Sequence, residues 1–222
     1  MDNKHILSHV DHTLLKPTAT WQEICTLCEE AITHQTASVC IPPSYIQRVA
    51  EKYGQALTIC TVIGFPLGYA TTETKLAETK VALCDGATEI DMVINLGDVK
   101  NKAFERITEE IQILKQAVGD HILKVIVETC YLTADEKIKL CQCVSEGGAD
   151  YIKTSTGFGT GGATPADVAL FQKYLAPHVK IKASGGIRTR EDMQTFLTHG
   201  CDRLGTSSAV KILIEDETNA DY

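Results

Sequence analysis

Leu123-Lys124-Val125-Ile126-Val127 and Tyr151-Ile152-Lys153-Thr154-Ser155-Thr156-Gly157-Phe158-Gly159 frame the stretch that decides the fold. The first run is β-branched and apolar, as expected of a strand buried on both faces. Between the two, Thr133 is placed to cap a helix that runs through Glu146. Tyr151–Lys153 then reads as a second strand. A helix that carries the chain back between two strands makes them parallel neighbours.

The same alternation extends in both directions. Upstream, Thr20 caps a helix to about His34 and Ser38–Ile41 reads as a strand. A helix at Ser44–Tyr53 precedes the strand Leu57–Ile63, which Gly64 and Pro66 bound. Helix Thr71–Cys84, strand Glu89–Ile94 and helix Ala103–Val118 complete the first half. Downstream, Pro165 occupies a first-turn position before Ala166–Leu175. Strand Val179–Ala183, helix Arg190–Thr198 and a short strand at Arg203–Gly205 follow. With a first strand near Val10, about eight β/α pairs result. They predict an α/β chain folded as a (β/α)8 TIM barrel, a single domain over residues 1–222 with a short mobile C-terminal tail. A doubly wound open sheet is the alternative.

Composition narrows the function. The 222 residues are 44% hydrophobic and 23% charged, with net charge −8 and no basic cluster. Phosphate-backbone recognition needs a concentrated Lys/Arg face, so no nucleic-acid partner is expected. Apolar runs such as Ile122–Val127 are too short to cross a bilayer, so no membrane partner is expected. The polar start (Met1, Asp2, Asn3, Lys4, His5) has no apolar run behind it, which predicts a cytoplasmic protein. Nine cysteines, an odd number, then read as reduced thiols. Trp21, Ile24, Cys25, Cys28 and Ile32 share one side of a helix, so the Cys25/Cys28 pair is expected to pack as small hydrophobes. Cys141 and Cys143 are also expected in a helix.

In a barrel, function gathers where strands end. Asp91 lies in the strand Glu89–Ile94, Lys153 ends the sixth strand, and Lys182 lies in the seventh. Two lysines on neighbouring parallel strands are expected to point into one barrel mouth. An ordinary lysine amine is protonated at neutral pH and cannot attack a carbonyl. A second ammonium nearby, with partial desolvation, disfavours the charged form. Each unit of lowering costs about 1.4 kcal/mol of preference for the ammonium and gives about tenfold more free amine. Such a pair prepares a Schiff-base nucleophile. One lysine at a strand end would be explained as well by an ion pair that stabilises the interior. Two lysines and an aspartate at three strand ends are better explained by chemistry.

Small-residue turns follow the same strands. Gly185-Gly186 succeeds Lys182, and Gly205-Thr206-Ser207-Ser208 precedes a helical turn. Glycines let a backbone approach an anion, and amides at a helix N-terminus bind phosphate. Either turn alone is only a tight turn; both, after strands seven and eight, point to phosphate.

The chain resembles the deoxyribose-phosphate aldolases. Tyr151 to Phe158, Lys180-Ile181-Lys182-Ala183-Ser184-Gly185-Gly186-Ile187-Arg188 and Ile90-Asp91-Met92-Val93 carry the likeness. Asp11-His12-Thr13-Leu14-Leu15-Lys16-Pro17, Ser38-Val39-Cys40-Ile41 and Val62-Ile63-Gly64-Phe65-Pro66-Leu67-Gly68 extend it from about residue 8 to residue 210. The resemblance implies a metal-independent class I aldolase without cofactor. Its implied reaction is the reversible cleavage of 2-deoxy-D-ribose 5-phosphate to acetaldehyde and D-glyceraldehyde 3-phosphate in deoxynucleoside breakdown. Its implied partners are thus a phosphorylated sugar and small aldehydes, with a homodimer as the expected assembly. Lys153 would form the Schiff base, Lys182 would favour its neutral amine, and Asp91 would relay protons. Gly185, Gly186, Gly205, Ser207 and Ser208 would cradle the phosphate, with Thr156 and Gly157 along the sugar-phosphate chain. Asp11 and Cys40 would share the mouth, and the terminal Tyr222 would assist proton transfer. Phe158 stands where some family members carry a lysine.

Other chemistries leave different signatures. A metal-dependent barrel enzyme needs grouped His and carboxylate ligands; His9-Val10-Asp11-His12 is close, but no other histidine has matching spacing. A phosphate-binding isomerase would share the glycine loops and use acid–base chemistry alone. A non-catalytic binding protein would leave the two mouth lysines unexplained.

Overall fold

The structure, a computed structural model, describes residues 1–220. Eight strands form a closed, wholly parallel barrel in chain order. They are β1 (Val10–Thr13), β2 (Ser38–Ile41), β3 (Ile59–Ile63), β4 (Glu89–Val93), β5 (Ile122–Ile126), β6 (Tyr151–Lys153), β7 (Lys180–Ser184) and β8 (Arg203–Thr206). β1 pairs with β8 through Asp11 and Gly205, which closes the ring. The helices are α1 (Asn3–Leu7), α2 (Trp21–His34), α3 (Ile46–Tyr53), α4 (Thr72–Cys84) and α5 (Leu96–Lys100), then α6 (Phe104–Val118), α7 (Ala134–Glu146), α8 (Pro165–Tyr174), α9 (Arg190–Thr198) and α10 (Ala209–Ala220).

Helix starts are fixed by local chemistry. Thr20 with Glu23, Thr133 with Glu136 and Thr189 with Asp192 form reciprocal capping boxes. Each satisfies amides that the first turn leaves without intrahelical acceptors. Thr164 caps α8, with Pro165 in its first turn.

The alternation of side chains along each strand separates two cores. Leu123, Val125, Ile152, Ile181 and Ala183 belong to the large apolar cluster that includes the helices' buried residues. Cys40, Cys60 and Val62 form a small separate cluster. Asp11, Glu89, Asp91, Lys124, Lys153 and Lys182 are also buried on the strands. Their mutual contacts place them inside the barrel, whose centre is therefore largely ionic.

Several boundaries differ from the sequence expectations. Residues 43–53 divide into a 3₁₀ turn at Pro43–Tyr45 and α3, and β3 begins at Ile59 because a 3₁₀ turn occupies Gly54–Ala56. The short helices α1 and α5 escape a reading by periodicity because each has only five residues. Ile32, expected on the packed side of α2, is exposed in its last turn, whereas Ile24, Cys25 and Cys28 are buried. Tyr222 lies outside the described residues.

Candidate active site

A cavity of about 410 Å³ opens among the loops that follow β1, β6, β7 and β8. Its lining includes Lys153, Thr156, Gly157, Gly185, Gly186, Gly205, Ser207 and Ser208. Lys16 and Arg188 add two more basic side chains, and among the described residues no carboxylate contributes to the wall. A chain of net charge −8 has thus placed three basic side chains, and no acid among the described residues, around this space. Such a lining favours an anionic ligand.

Behind Lys153 lies the ionic centre. Register places Lys153 beside Lys182 on β6 and β7, and Asp91 beside Lys124 on β4 and β5. Lys153 Nζ and Lys182 Nζ each donate to the same Asp91 Oδ2, both at 2.7 Å. The two nitrogens are therefore no further apart than those two bonds laid end to end. Lys124 Nζ donates to Asp91 Oδ1 at 2.9 Å and lies 2.6 Å from Glu89 Oε2. Lys182 also pairs with Asp11. Arg203 pairs with Asp11 and, at 3.0 Å, with Glu89.

These contacts fix the charge states of most of the set. Burial opposes ionisation of Asp91, but Lys124, Lys153 and Lys182 prevail and hold its carboxyl well below the usual range. Asp11 is held low against the same burial by Lys182, Lys124 and Arg203. Burial likewise opposes the Lys182 ammonium, yet Asp11 and Asp91 lift it well above the ordinary lysine range. Lys124 is raised for the same reason, chiefly by Asp91.

The sequence expectation that both lysines point into one mouth is corrected in one respect. Lys153 reaches the cavity wall, whereas Lys182 is fully buried and reaches Lys153 through Asp91. Asp11 and Cys40 are also fully buried and lie outside the cavity lining. Cys40 is register-paired with Cys60 on β3. A hydrogen bond from Cys60 lowers the Cys40 thiol, and burial raises that of Cys60.

The loops shape the cavity's other end. Gly157, Gly185 and Gly186 take φ of 87°, 79° and 78°, a backbone region open mainly to glycine. A Cβ on Gly205 would lie 3.0 Å from Ser184 Cβ and 3.2 Å from Lys182 Cε. Among the described residues, the amides of Gly157, Gly186 and Ser207 have no protein acceptor. The Thr156 hydroxyl is committed: it donates to Glu128 and accepts from the Phe158 amide at 2.9 Å. Thr156, expected beside the substrate, thus has no hydroxyl proton left for one. Phe158 meets Phe65 edge-on, with ring centroids 5.3 Å apart, so the loops after β6 and β3 touch.

Among the described residues, no histidine belongs to a group of donor atoms close enough together to hold a metal ion. His12 Nε2 bonds Glu30 at 2.7 Å, and His9 Nδ1 bonds the His5 carbonyl at 2.8 Å. Cys40, Cys60 and Asp91 bring donor atoms together, but Lys124 Nζ already contacts Cys60 Sγ at 3.2 Å and the adjoining Asp91 Oδ1. An ammonium held there opposes a metal cation.

Lys124, Glu89, Arg203, Lys16, Arg188 and Glu128 were not singled out from sequence. Lys124 had a signal, since a lysine flanked by Leu123 and Val125 in a doubly buried strand must point into the barrel. Glu128 had none, because its contacts depend on the path of the next loop.

Comparison with known proteins places these features in context. The family model described as DeoC/LacD family aldolase matches residues 5–207. A deoxyribose-phosphate aldolase of Clostridium botulinum (strain Alaska E43 / Type E3) is 63% identical over 218 residues, 98% of this chain and 99% of that protein. One of Clostridioides difficile (strain 630) is 54% identical over 99% of this chain and 100% of its own length. A tetrameric deoxyribose phosphate aldolase structure from Aeropyrum pernix superposes with a TM-score of 0.88 at 32% identity, covering 98% of this chain and 93% of that one.

Proposed function

The chain belongs to the DeoC/LacD family of aldolases, and from that premise we infer that it is a deoxyribose-phosphate aldolase working through a Schiff base on Lys153. It reversibly cleaves 2-deoxy-D-ribose 5-phosphate to acetaldehyde and D-glyceraldehyde 3-phosphate. One observation supports the assignment of the nucleophile above the others. Lys124, Lys182 and Arg203 face Asp11, Glu89 and Asp91, three cations against three carboxylates. Lys153 is the fourth cation, and it shares its acceptor oxygen with Lys182. A neutral Lys153 amine leaves the buried set balanced; a charged one leaves it with an excess positive charge in low dielectric. A neutral amine donates to Asp91 as readily in geometry, and its lone pair stays free for the cavity.

The reaction follows from that arrangement. The Lys153 amine attacks the aldehyde carbon of the open-chain sugar, and Asp91 with Lys182 relays protons through water as the carbinolamine loses water. The resulting iminium accepts the electron pair of the C2–C3 bond. As that bond breaks, the C3 hydroxyl loses its proton and becomes the carbonyl of glyceraldehyde 3-phosphate. The remaining enamine is protonated on carbon and hydrolysed to acetaldehyde. Gly185, Gly186, Gly205, Ser207 and Ser208 seat the phosphate, with the free amides of Gly157, Gly186 and Ser207 as donors. Lys16 and Arg188 supply charge on that wall, where the β6 loop offers Phe158.

No helix among the described residues is long and apolar enough to cross a membrane. We place the enzyme in the cytoplasm, which suits nine free thiols. The decisive experiment is borohydride reduction in the presence of acetaldehyde, followed by peptide mapping. An ethyl adduct on Lys153 alone is expected; reduction that labels another lysine, or none, rejects the assignment. Replacing Lys182 by Leu should move the pH profile of imine formation toward alkaline pH and slow it about tenfold or more at neutral pH.

A further inference from the structure

Six carboxylate side chains are buried in the described residues: Asp11, Glu89, Asp91, Glu110, Glu128 and Asp167. Five of them are ion-paired, to Lys124, Lys153, Lys182, Arg203, Lys75 or Lys137. Glu128 alone among the described residues meets no cation. It is also one of three non-glycine residues with positive φ among the described residues, at 53°, just beyond the end of β5. A buried charge without a counter-ion and a left-handed backbone are both unfavourable. Surrounding structure must hold this residue in place.

What Glu128 touches is the loop after β6. Its Oε1 and Oε2 accept from the Thr156 amide at 3.2 and 3.3 Å, and Oε2 accepts from the Thr156 hydroxyl. Gly159 passes so close that a Cβ there would lie 3.1 Å from Glu128 Cδ. Thr156 in turn accepts from the Phe158 amide, so the carboxylate organises residues 156–158 from behind. Between these two anchored residues stands Gly157, in the cavity wall and with its amide free of any protein acceptor. Lys153 is held separately, by its Asp91 bond and by the Val127 amide on its carbonyl at 3.0 Å.

We propose that Glu128 is a positioning residue for the phosphorylated substrate, fixing the 156–158 turn through Thr156 so that the Gly157 amide stays in the cavity wall. This rests on the aldolase reading above. It divides the site into two separately supported parts: Asp91 serves the amine, and Glu128 serves the anion seat. The two supports adjoin at the end of β5, where the Val127 amide holds the Lys153 carbonyl and Glu128 follows it in the chain.

The test compares wild type with Glu128→Gln and Glu128→Ala. Cleavage of 2-deoxyribose 5-phosphate and of unphosphorylated 2-deoxyribose is measured, together with borohydride trapping of acetaldehyde on Lys153. Glu128→Ala is expected to raise KM for the phosphorylated sugar at least tenfold, and to shrink the kcat/KM preference for it by a similar factor. Trapping and activity on the unphosphorylated sugar should stay within about threefold of wild type. Glu128→Gln keeps an oxygen acceptor and should rescue most of the loss. An unchanged preference in Glu128→Ala, an equal fall on both sugars, or Gln no better than Ala would each overturn the proposal. Thr156→Val removes the hydroxyl donation from the other side and carries the same expectation if Glu128→Ala does not fold. Failure of wild type to trap acetaldehyde would instead reject the aldolase reading and leave the loop geometry untouched.

Discussion

Two places in this protein bury lysine completely, and they differ in how the charge is matched. Between α4 and α6, Lys75 Nζ donates to Glu110 Oε2 and to the Val93 carbonyl, each at 2.8 Å, while Thr72 donates to the other carboxylate oxygen at 3.1 Å. One cation faces one anion, and Lys75 has no part in the lining of the cavity that Lys153 reaches. Inside the barrel, four basic side chains share three carboxylates, and Lys153, whose one carboxylate contact is the oxygen that Lys182 also holds, is the one at a cavity wall. Burial of a lysine is thus no sign of chemistry by itself. A buried lysine without a full counter-charge, open to a cavity, is such a sign.

The contrast can be broken most sharply by exchanging the two lysines' fates. Lys153→Met should lower kcat for 2-deoxyribose 5-phosphate cleavage more than about a thousandfold and abolish borohydride trapping. Lys75→Met should leave trapping at the wild-type level per folded molecule. A coupled triose-phosphate assay reads both, and comparable losses in the two variants would erase the distinction.

Stability sharpens it next. Lys75→Met leaves Glu110 buried without its counter-ion and should cost about 3–5 kcal/mol, whereas Lys75→Met/Glu110→Leu should recover most of that loss. Lys124→Met should cost about 3–5 kcal/mol as well, without any comparable rescue. Lys124 contacts Glu89, Asp91 and Asp11 together, so removing one of them does not replace the contacts that the other two lose. Urea denaturation of the three variants provides the measurement. A single second-site change that restored Lys124→Met would show the cluster to be a set of independent pairs.

The smallest effect concerns acid. Asp11 is held below the ordinary carboxylate range in the folded state, so the unfolded chain takes up its proton first as pH falls. The stability it contributes is complete above the unfolded value near 4 and declines as pH drops toward the folded value. In that window Asp11→Asn should remove up to one proton's share of the slope, about 1.4 kcal/mol per pH unit. Unfolding free energies measured between pH 5 and 3 decide it; an identical slope in both proteins contradicts the assignment.

How much of this was legible in the sequence depended on how local the cause is. Ser38–Ile41, Tyr151–Lys153 and Arg190–Thr198 have the boundaries read from residues alone, because β-branched runs and Thr caps act within a few positions. Ring closure followed from counting repeats. Asp91, Lys153 and Lys182 were legible because charged residues stand out in apolar strands. Their division of labour was not: that Lys182 lies below the cavity depends on strand register and tilt, which no single segment encodes. Lys75 was hidden among the polar residues of its helix, where its spacing resembles that of a solvated face. Thr156 was recognised as part of the site, but the direction of its hydroxyl was set by Glu128, 28 positions earlier.

Gly205 shows how closely the two ends of this site are spaced. Its missing methyl group leaves room for both Ser184 and the aliphatic end of Lys182, while its own backbone belongs to the loop side of the cavity. Even alanine there would press on Lys182, which shares Asp91 with Lys153. Any side chain introduced at residue 205 would thus disturb the cavity wall and the buried ionic network at once, so the two cannot be altered independently at that position.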